Sequence, residues 1–134
     1  MRSTSIKPVL TVIEGPTAVG NSALADVGSE IVLGCQFNEV FFEVTNGSSS
    51  VALQDFAILV KTDSGASFHI YLSGATWAVP PSILPYCEAA LATLAAATAA
   101  SARVDIGPVY SVKFQAQAAS ATVATTVRAT FGVK

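Results

Sequence analysis

Apolar and polar residues take turns along most of this chain, with a period of two. Residues 9–14 form a first short run, closed by Gly15-Pro16. In residues 30–35, Ile31, Leu33 and Cys35 share one face. In residues 39–45, Val40, Phe42 and Val44 point one way and Glu39, Phe41, Glu43 and Thr45 the other. Phe56, Ile58 and Val60 repeat the pattern in 55–61. Phe68, Ile70 and Leu72 repeat it in 67–73, opposite Ser67, His69, Tyr71 and Ser73. Side chains alternate across a pleated strand, so each run predicts a strand with one packed face.

The last two of these runs are joined by Asp63-Ser64-Gly65, which reads as a hairpin turn with glycine at a left-handed position. Near the C-terminus, Tyr110, Val112, Phe114 and Ala116 alternate with Ser111, Lys113, Gln115 and Gln117. Val123, Thr125, Val127, Ala129 and Phe131 then alternate with Ala124, Thr126, Arg128 and Thr130, in a stretch rich in β-branched residues. Short strands with turn signals about every ten residues predict a mainly β chain. The expected architecture is an antiparallel β-sandwich, Ig-like or jelly-roll.

One stretch departs from the pattern. Pro80-Pro81 and Pro85 interrupt any strand, and alanine and leucine then dominate. Leu84, Cys87, Leu91 and Leu94 fall at helical spacing, and alanine is the best helix former. This predicts a helix over 82–96 and a strand over roughly 103–106. A second reading makes 93–105 an extended strand with Leu94, Ala96, Thr98, Ala100 and Ala102 on one face. The insert near 82–100 is therefore a short helix or a loop.

Length and composition bound the picture further. A chain of 134 residues fits one domain spanning 1–134, with residues 1–8 as an extended arm. Charged residues make up 12% and hydrophobic ones 51%, which excludes a disordered chain. So little surface charge suits a subunit that buries surface against neighbours, although abundant alanine inflates the average equally well. The cations Arg2, Lys7, Lys61, Arg103, Lys113, Arg128 and Lys134 are spread singly, which argues against a nucleic-acid partner. Residues 1–7 lack the apolar core of a secretion signal, and no membrane span is expected. Cys35 and Cys87 make neither a disulfide framework nor a metal spacing, and their apolar neighbours predict buried free thiols.

Candidate chemistry is sparse. Gly15-Pro16-Thr17-Ala18-Val19-Gly20-Asn21-Ser22 is one residue away from the phosphate-binding pattern G-x-x-x-x-G-K-[ST], and it resembles the corresponding loop of tRNA prenyltransferases. Asn21 stands where a lysine must supply charge to the phosphates, and Val27-Gly28 interrupts any following helix. The segment is therefore expected to be a flexible connection between strands. His69, the one histidine, lies mid-strand without a nucleophile elbow or a second metal-binding histidine. Carboxylates are scattered, with Glu39 and Glu43 on one face as a solvated acidic stripe. Asn46-Gly47-Ser48 matches a glycosylation sequon but reads as a turn. No catalytic residue, cofactor or metal is expected. Trp77, Tyr71, Tyr86 and His69 remain as an interface or ligand platform, since aromatic rings are enriched at interfaces and stack on sugars.

Leu53-Gln54-Asp55-Phe56-Ala57-Ile58-Leu59-Val60-Lys61 and Tyr71-Leu72-Ser73-Gly74-Ala75-Thr76-Trp77 resemble small structural proteins of tailed bacteriophage virions. So does Gly107-Pro108-Val109-Tyr110-Ser111-Val112-Lys113-Phe114-Gln115-Ala116 with the Ala/Thr/Val strand after it. The resemblance, over roughly residues 50–132, implies a β-sandwich that decorates or cements capsids and has no catalytic site. It implies partners among virion proteins, either the major capsid protein or neighbouring copies in a homo-oligomer. The location implied is the virion, assembled in the host cytoplasm. Two alternatives stand beside it. One is a tail, fibre or carbohydrate-binding module using Trp77 and Tyr71. The other is a small coat protein, which the sparse cations disfavour.

Overall fold

The computed structural model describes residues 7–78 and 84–134. Among the described residues there are nine strands: β1 Leu10–Val19, β2 Ala25–Val32, β3 Glu39–Asn46, β4 Leu53–Lys61, β5 His69–Ser73, β6 Tyr86–Cys87, β7 Ala99–Asp105, β8 Ser111–Ala118 and β9 Val123–Gly132. They form a five-stranded sheet in the order β1-β9-β3-β7-β6 and a four-stranded sheet in the order β2-β8-β4-β5, with every pairing antiparallel.

The pairings β1 with β9, β2 with β8, β3 with β7 and β4 with β5 are nested. They are those of one long hairpin rolled up on itself, so that successive arms fall alternately in the two sheets. This is the jelly-roll connectivity. The sandwich is thus a jelly roll and not Ig-like, with the two-residue β6 added on the edge beside β7.

The alternation seen in the sequence is what fills the core. Val40, Phe42, Val44, Val127, Ala129 and Phe131 from one sheet meet Phe56, Ile58, Val112, Phe114 and Ala116 from the other, all buried. Phe42 lies in register between Ala102 on β7 and Ala129 on β9. The two small neighbours leave room for its ring, which stacks on Phe56 at 5.9 Å and contacts Phe114 at 5.5 Å between centroids. Large and small inward residues complement each other, which keeps interior packing dense.

The alanine-rich tract is where the structure corrects the sequence reading. Of the span expected as helix, 82 and 83 lie outside the described residues, as do Pro80-Pro81 and residues 1–6 of the expected arm. The remainder holds β6 and a single 3-10 turn, Leu91–Thr93, with no α-helix. Leu91 and Leu94 are buried under the end of the sandwich, and Ala100 and Ala102 face inward from β7. Tertiary packing thus overrides helix propensity. β7 spans Ala99–Asp105, longer than the expected 103–106, and Ala100 and Ala102 face inward as in the extended reading of 93–105, while ahead of it the loop alternative for the insert holds.

Other expectations shift by local geometry. β1 does not stop at Gly15-Pro16. A bulge between Glu14 and Thr17 absorbs the pair, and the strand resumes to Val19. The phosphate-loop echo is therefore strand as far as Val19, and only Gly20-Asn21-Ser22 connects it onward. The turn after it is held by Asn21 Nδ2 donating to Ser120 O at 2.9 Å and Gln117 Nε2 donating to Asn21 O at 3.0 Å. β2 starts at Ala25 and passes the position that read as an interruption through a bulge between Val27 and Ile31. Gly28 there has φ +76°, and any Cβ on it would collide with the Glu14 side chain.

In the β4–β5 hairpin, Asp63 Oδ1 accepts from Gly65 N at 2.8 Å, and Gly65 does not take the expected left-handed conformation. A bulge puts Ile58 opposite Leu72 but Leu59 opposite Ile70, leaving Tyr71 as the extra residue. This breaks the period of two and turns Ile70 out to solvent at 55% exposure, where alternation placed it inward.

Both cysteines are free, but Cys35 is exposed rather than buried, at φ 61° just past the end of β2. Cys87 is half-buried, and its thiol donates to Ala89 O at 3.1 Å. Burial pushes the Cys87 thiol above its ordinary range, outweighing the bond to Ala89. Since the thiolate is the reactive form, a disulfide reagent at neutral pH should modify Cys35 rapidly and Cys87 only on unfolding. Equal rates at the two sulfurs would contradict this packing.

Asn46 of the sequon is 1% exposed. Its Nδ2 donates to Val51 O at 2.9 Å and to Leu94 O at 3.1 Å, and its Oδ1 accepts from Ser48 N at 2.9 Å. The residue fastens the β3–β4 loop to the alanine-rich tract, and its amide is closed to modification.

Candidate functional site

The four residues proposed as a platform do not come together. Trp77 is fully buried, edge-on to Phe42 at 5.9 Å and to Phe56 at 5.4 Å, with Nε1 donating to Phe56 O at 2.7 Å. It is a core residue, so no ligand reaches it and no Trp77–Tyr71 platform exists. Tyr71 and His69 stand exposed on β5, at the edge of the four-stranded sheet. The Tyr71 hydroxyl crosses to the other sheet and donates to Asp105 O at 2.8 Å. Tyr86 lies on the outer face of the five-stranded sheet, 41% exposed.

Tyr86 belongs instead with residues that sequence reasoning did not single out. Its ring stacks on Phe41 at 5.8 Å and 14°, and Phe41 is itself 50% exposed. The register sets one row across the sheet: Thr11 on β1, Thr130 on β9, Phe41 on β3, Arg103 on β7 and Tyr86 on β6. The next row on the same face is Ile13, Arg128, Glu43 and Ser101. Between these rows runs a groove of about 590 Å³, lined by Ile13, Phe41, Glu43, Ser101, Arg128 and Thr130 among others.

Glu43 and Arg128 are cross-strand partners, yet they form no ion pair among the described residues. The three paired lysines lie elsewhere, Lys61 with Glu30, Lys113 with Asp26 and Lys134 with Asp105. The only available signal was a lone aromatic, Phe41, on a polar strand face between Glu39 and Glu43.

A second groove, of about 520 Å³, lies where β1 begins and β2 ends. Pro8, Val9, Leu10, Val32, Leu33 and Phe37 line it. Val9 is 70% exposed and Val32 55%, so this groove leaves large apolar side chains open to solvent.

The outer face of the four-stranded sheet is polar and internally satisfied. Lys61 and Lys113 lie over the Phe68 ring at 5.3 and 4.7 Å. Ser111 Oγ donates to Glu30 Oε2 at 2.7 Å, and Lys61 Nζ sits 3.4 Å from Oε1. The serine bond first, and then the lysine charges, hold the Glu30 carboxyl below the usual carboxylate range. A group whose folded pKa is depressed stabilises the fold above its unfolded pKa, and the contribution is lost as the pH falls through the folded value. Thermal stability should therefore decline on acidification through the carboxylate range, and Glu30→Gln should flatten that decline. An unchanged acid limb in the variant would show that Glu30 plays no part in it.

Among the described residues, no three His, Cys, Asp or Glu side chains lie together as a metal site, and no helix is long and apolar enough to cross a membrane.

No protein-family model matches the chain, and no curated protein matches it. Its fold does have a solved counterpart. The SPBc2 prophage-derived protein YomS is similar over 97% of this chain and 99% of its own, with a TM-score of 0.51 and 15% identity. A chain from Bacillus endospore appendages, described as a novel family of disulfide-linked pili, aligns over 100% of this chain and 96% of its own. Its TM-score is 0.42 at 9% identity, too low to bear on this chain. The likeness to YomS is a likeness of fold.

Proposed function

We propose that the chain is a non-enzymatic structural subunit of a virion, of the capsid decoration or cement kind, held in place by protein–protein contacts. The observation that carries this reading is the apolar groove at the start of β1, where Val9 and Val32 stand open to solvent. Burying such surface against a capsid protein or a neighbouring copy is the ordinary driving force for association. A fold shared end to end with a prophage-derived protein supports the setting.

The sheet edges support a limited mode of contact. β1 is interrupted by its Gly15-Pro16 bulge, β2 and β5 carry bulges, and β6 has only two residues. Edges interrupted in this way resist indiscriminate strand pairing. The first half of β1 is the uninterrupted stretch, and strand addition by a neighbour belongs there. Many copies on a lattice would make modest single contacts sufficient.

The test is co-sedimentation of the protein with the native particle, followed by electron microscopy of the decorated shell. Val9→Asp combined with Val32→Asp should abolish co-sedimentation while leaving the melting temperature unchanged, since both side chains are exposed. Undiminished binding by the double variant would sink the reading.

A further inference from the structure

We propose that the groove on the outer face of the five-stranded sheet binds a neutral oligosaccharide. The Phe41 ring carries the apolar face of a hexose, and Glu43 and Arg128 hold its hydroxyls. This is a second site, on residues separate from the apolar groove at β1, and it does not depend on the virion reading.

Shape and charge together select the ligand. At about 590 Å³ the groove is in the size range of small-ligand sites, roughly 300–1,000 Å³. A concave face set against a second copy of itself would leave a void, and interfaces pack as densely as interiors. β3 and β9 are paired on both sides, so no further strand can join the sheet here. Apart from Ile13 and the aromatic wall, the groove lining is dominated by hydroxyls and charges, which suits no apolar helix.

Glu43 beside Arg128 cancels that cation, and Arg103 in the neighbouring row does not line the groove, so the lining itself carries no net charge to attract an anionic polymer. What remains complementary is a neutral, hydroxyl-rich molecule with one small apolar face, which is a description of a sugar ring.

The details fit that ligand. Phe41 is open on the groove side and backed by Tyr86, which fixes the ring before binding. Phe41 and Glu43 are two residues apart on one strand face, about 7 Å. A hexose seated on the ring would therefore bring its edge hydroxyls to the Glu43 carboxylate and the Arg128 guanidinium. The first only accepts hydrogen bonds and the second only donates, and among the described residues neither has a side-chain partner, so together they satisfy both halves of a hydroxyl pair. Thr130 and Ser101 add hydroxyls along the walls.

The experiment is isothermal titration calorimetry of the full chain with maltohexaose, cellohexaose and chitohexaose, and with a sulfated oligosaccharide as the anionic control. At least one neutral hexasaccharide should bind. Phe41→Ala and Arg128→Ala should each weaken it ten-fold or more, and Tyr71→Phe should leave it unchanged. All three side chains are exposed, and circular dichroism melts verify that the variants stay folded. Absence of binding by every neutral probe, tighter binding of the sulfated one, or full affinity in Phe41→Ala would each overturn the proposal. Co-sedimentation with particles reads the apolar groove separately, so the failure of one site is distinguishable from the failure of the other.

Discussion

Trp77→Ala should destabilise the protein by about 4 kcal/mol, enough to leave a domain of ordinary stability marginal or unfolded. The side chain is fully buried against Phe42 and Phe56, and the rings of those two residues also touch Phe114. Truncation removes the largest buried side chain and leaves a void next to two phenylalanines that the surrounding sheets hold in place. It also strands the Phe56 carbonyl, which loses its 2.7 Å bond from Nε1. The cost thus has a packing part and a polar part. Trp77→Phe should recover most of the first and none of the second, and so fall between the variant and the wild type. Urea unfolding followed by far-UV circular dichroism measures all three. A ligand-platform role predicts the reverse, with Trp77→Ala stable and only binding impaired. Wild-type stability in that variant would mean that Trp77 is not where the structure places it.

The place of Trp77 shows what one sequence conceals. A lone tryptophan beside a proline pair reads either as an exposed platform residue or, the commoner case, as the cap of a core. Its burial depends on a 3-10 turn, Gly74–Trp77, that swings it beneath the sheets, and no local pattern announces that turn. The inward residues of the long strands were legible for the opposite reason. Phe42, Phe56, Ile58, Phe114 and Phe131 follow the strict two-residue rhythm that a half-buried strand imposes, and all are buried.

Where the rhythm failed, a bulge or a competing propensity lay behind it. Ile70 is turned out by the bulge at Tyr71, and the alanines before β7 mimic a helix by propensity while packing as loop and a 3-10 turn. The groove was half legible. Phe41 reads as outward from its own strand, but its neighbours Arg128 and Tyr86 arrive from distant strands by a register that only the fold sets. Two opposite charges side by side carry no sequence signature when they come from different halves of the chain.

The same contrast can be put to experiment in the segment that mimics a phosphate loop. Gly15→Ala should cost about 3 kcal/mol, whereas Gly20→Ala should change stability by no more than about 0.5 kcal/mol. Gly15 has φ +95°, a conformation that a Cβ opposes, and the added carbon would run into the backbone carbonyl of Thr125 on β9 and lie 3.0 Å from Thr17 N. Backbone cannot swing aside as a flexible side chain can, so the strand must give up pairing or the residue must leave its conformation. Gly20 has an ordinary φ, and a Cβ there would meet nothing within 4 Å. Its carbonyl still accepts from Ala118 N at 2.9 Å, a bond that alanine keeps.

A nucleotide-binding loop would rank the two positions differently. There, glycines at both ends allow backbone amides to approach a phosphate, and loss of either would show in ligand binding rather than in folding. Thermal melts of the two variants, with and without ATP, separate the cases. A deep loss confined to Gly15→Ala and indifferent to ATP is the signature of a bulge in an edge strand. Equal effects at both glycines, or a melting point raised by ATP, would return the segment to nucleotide chemistry.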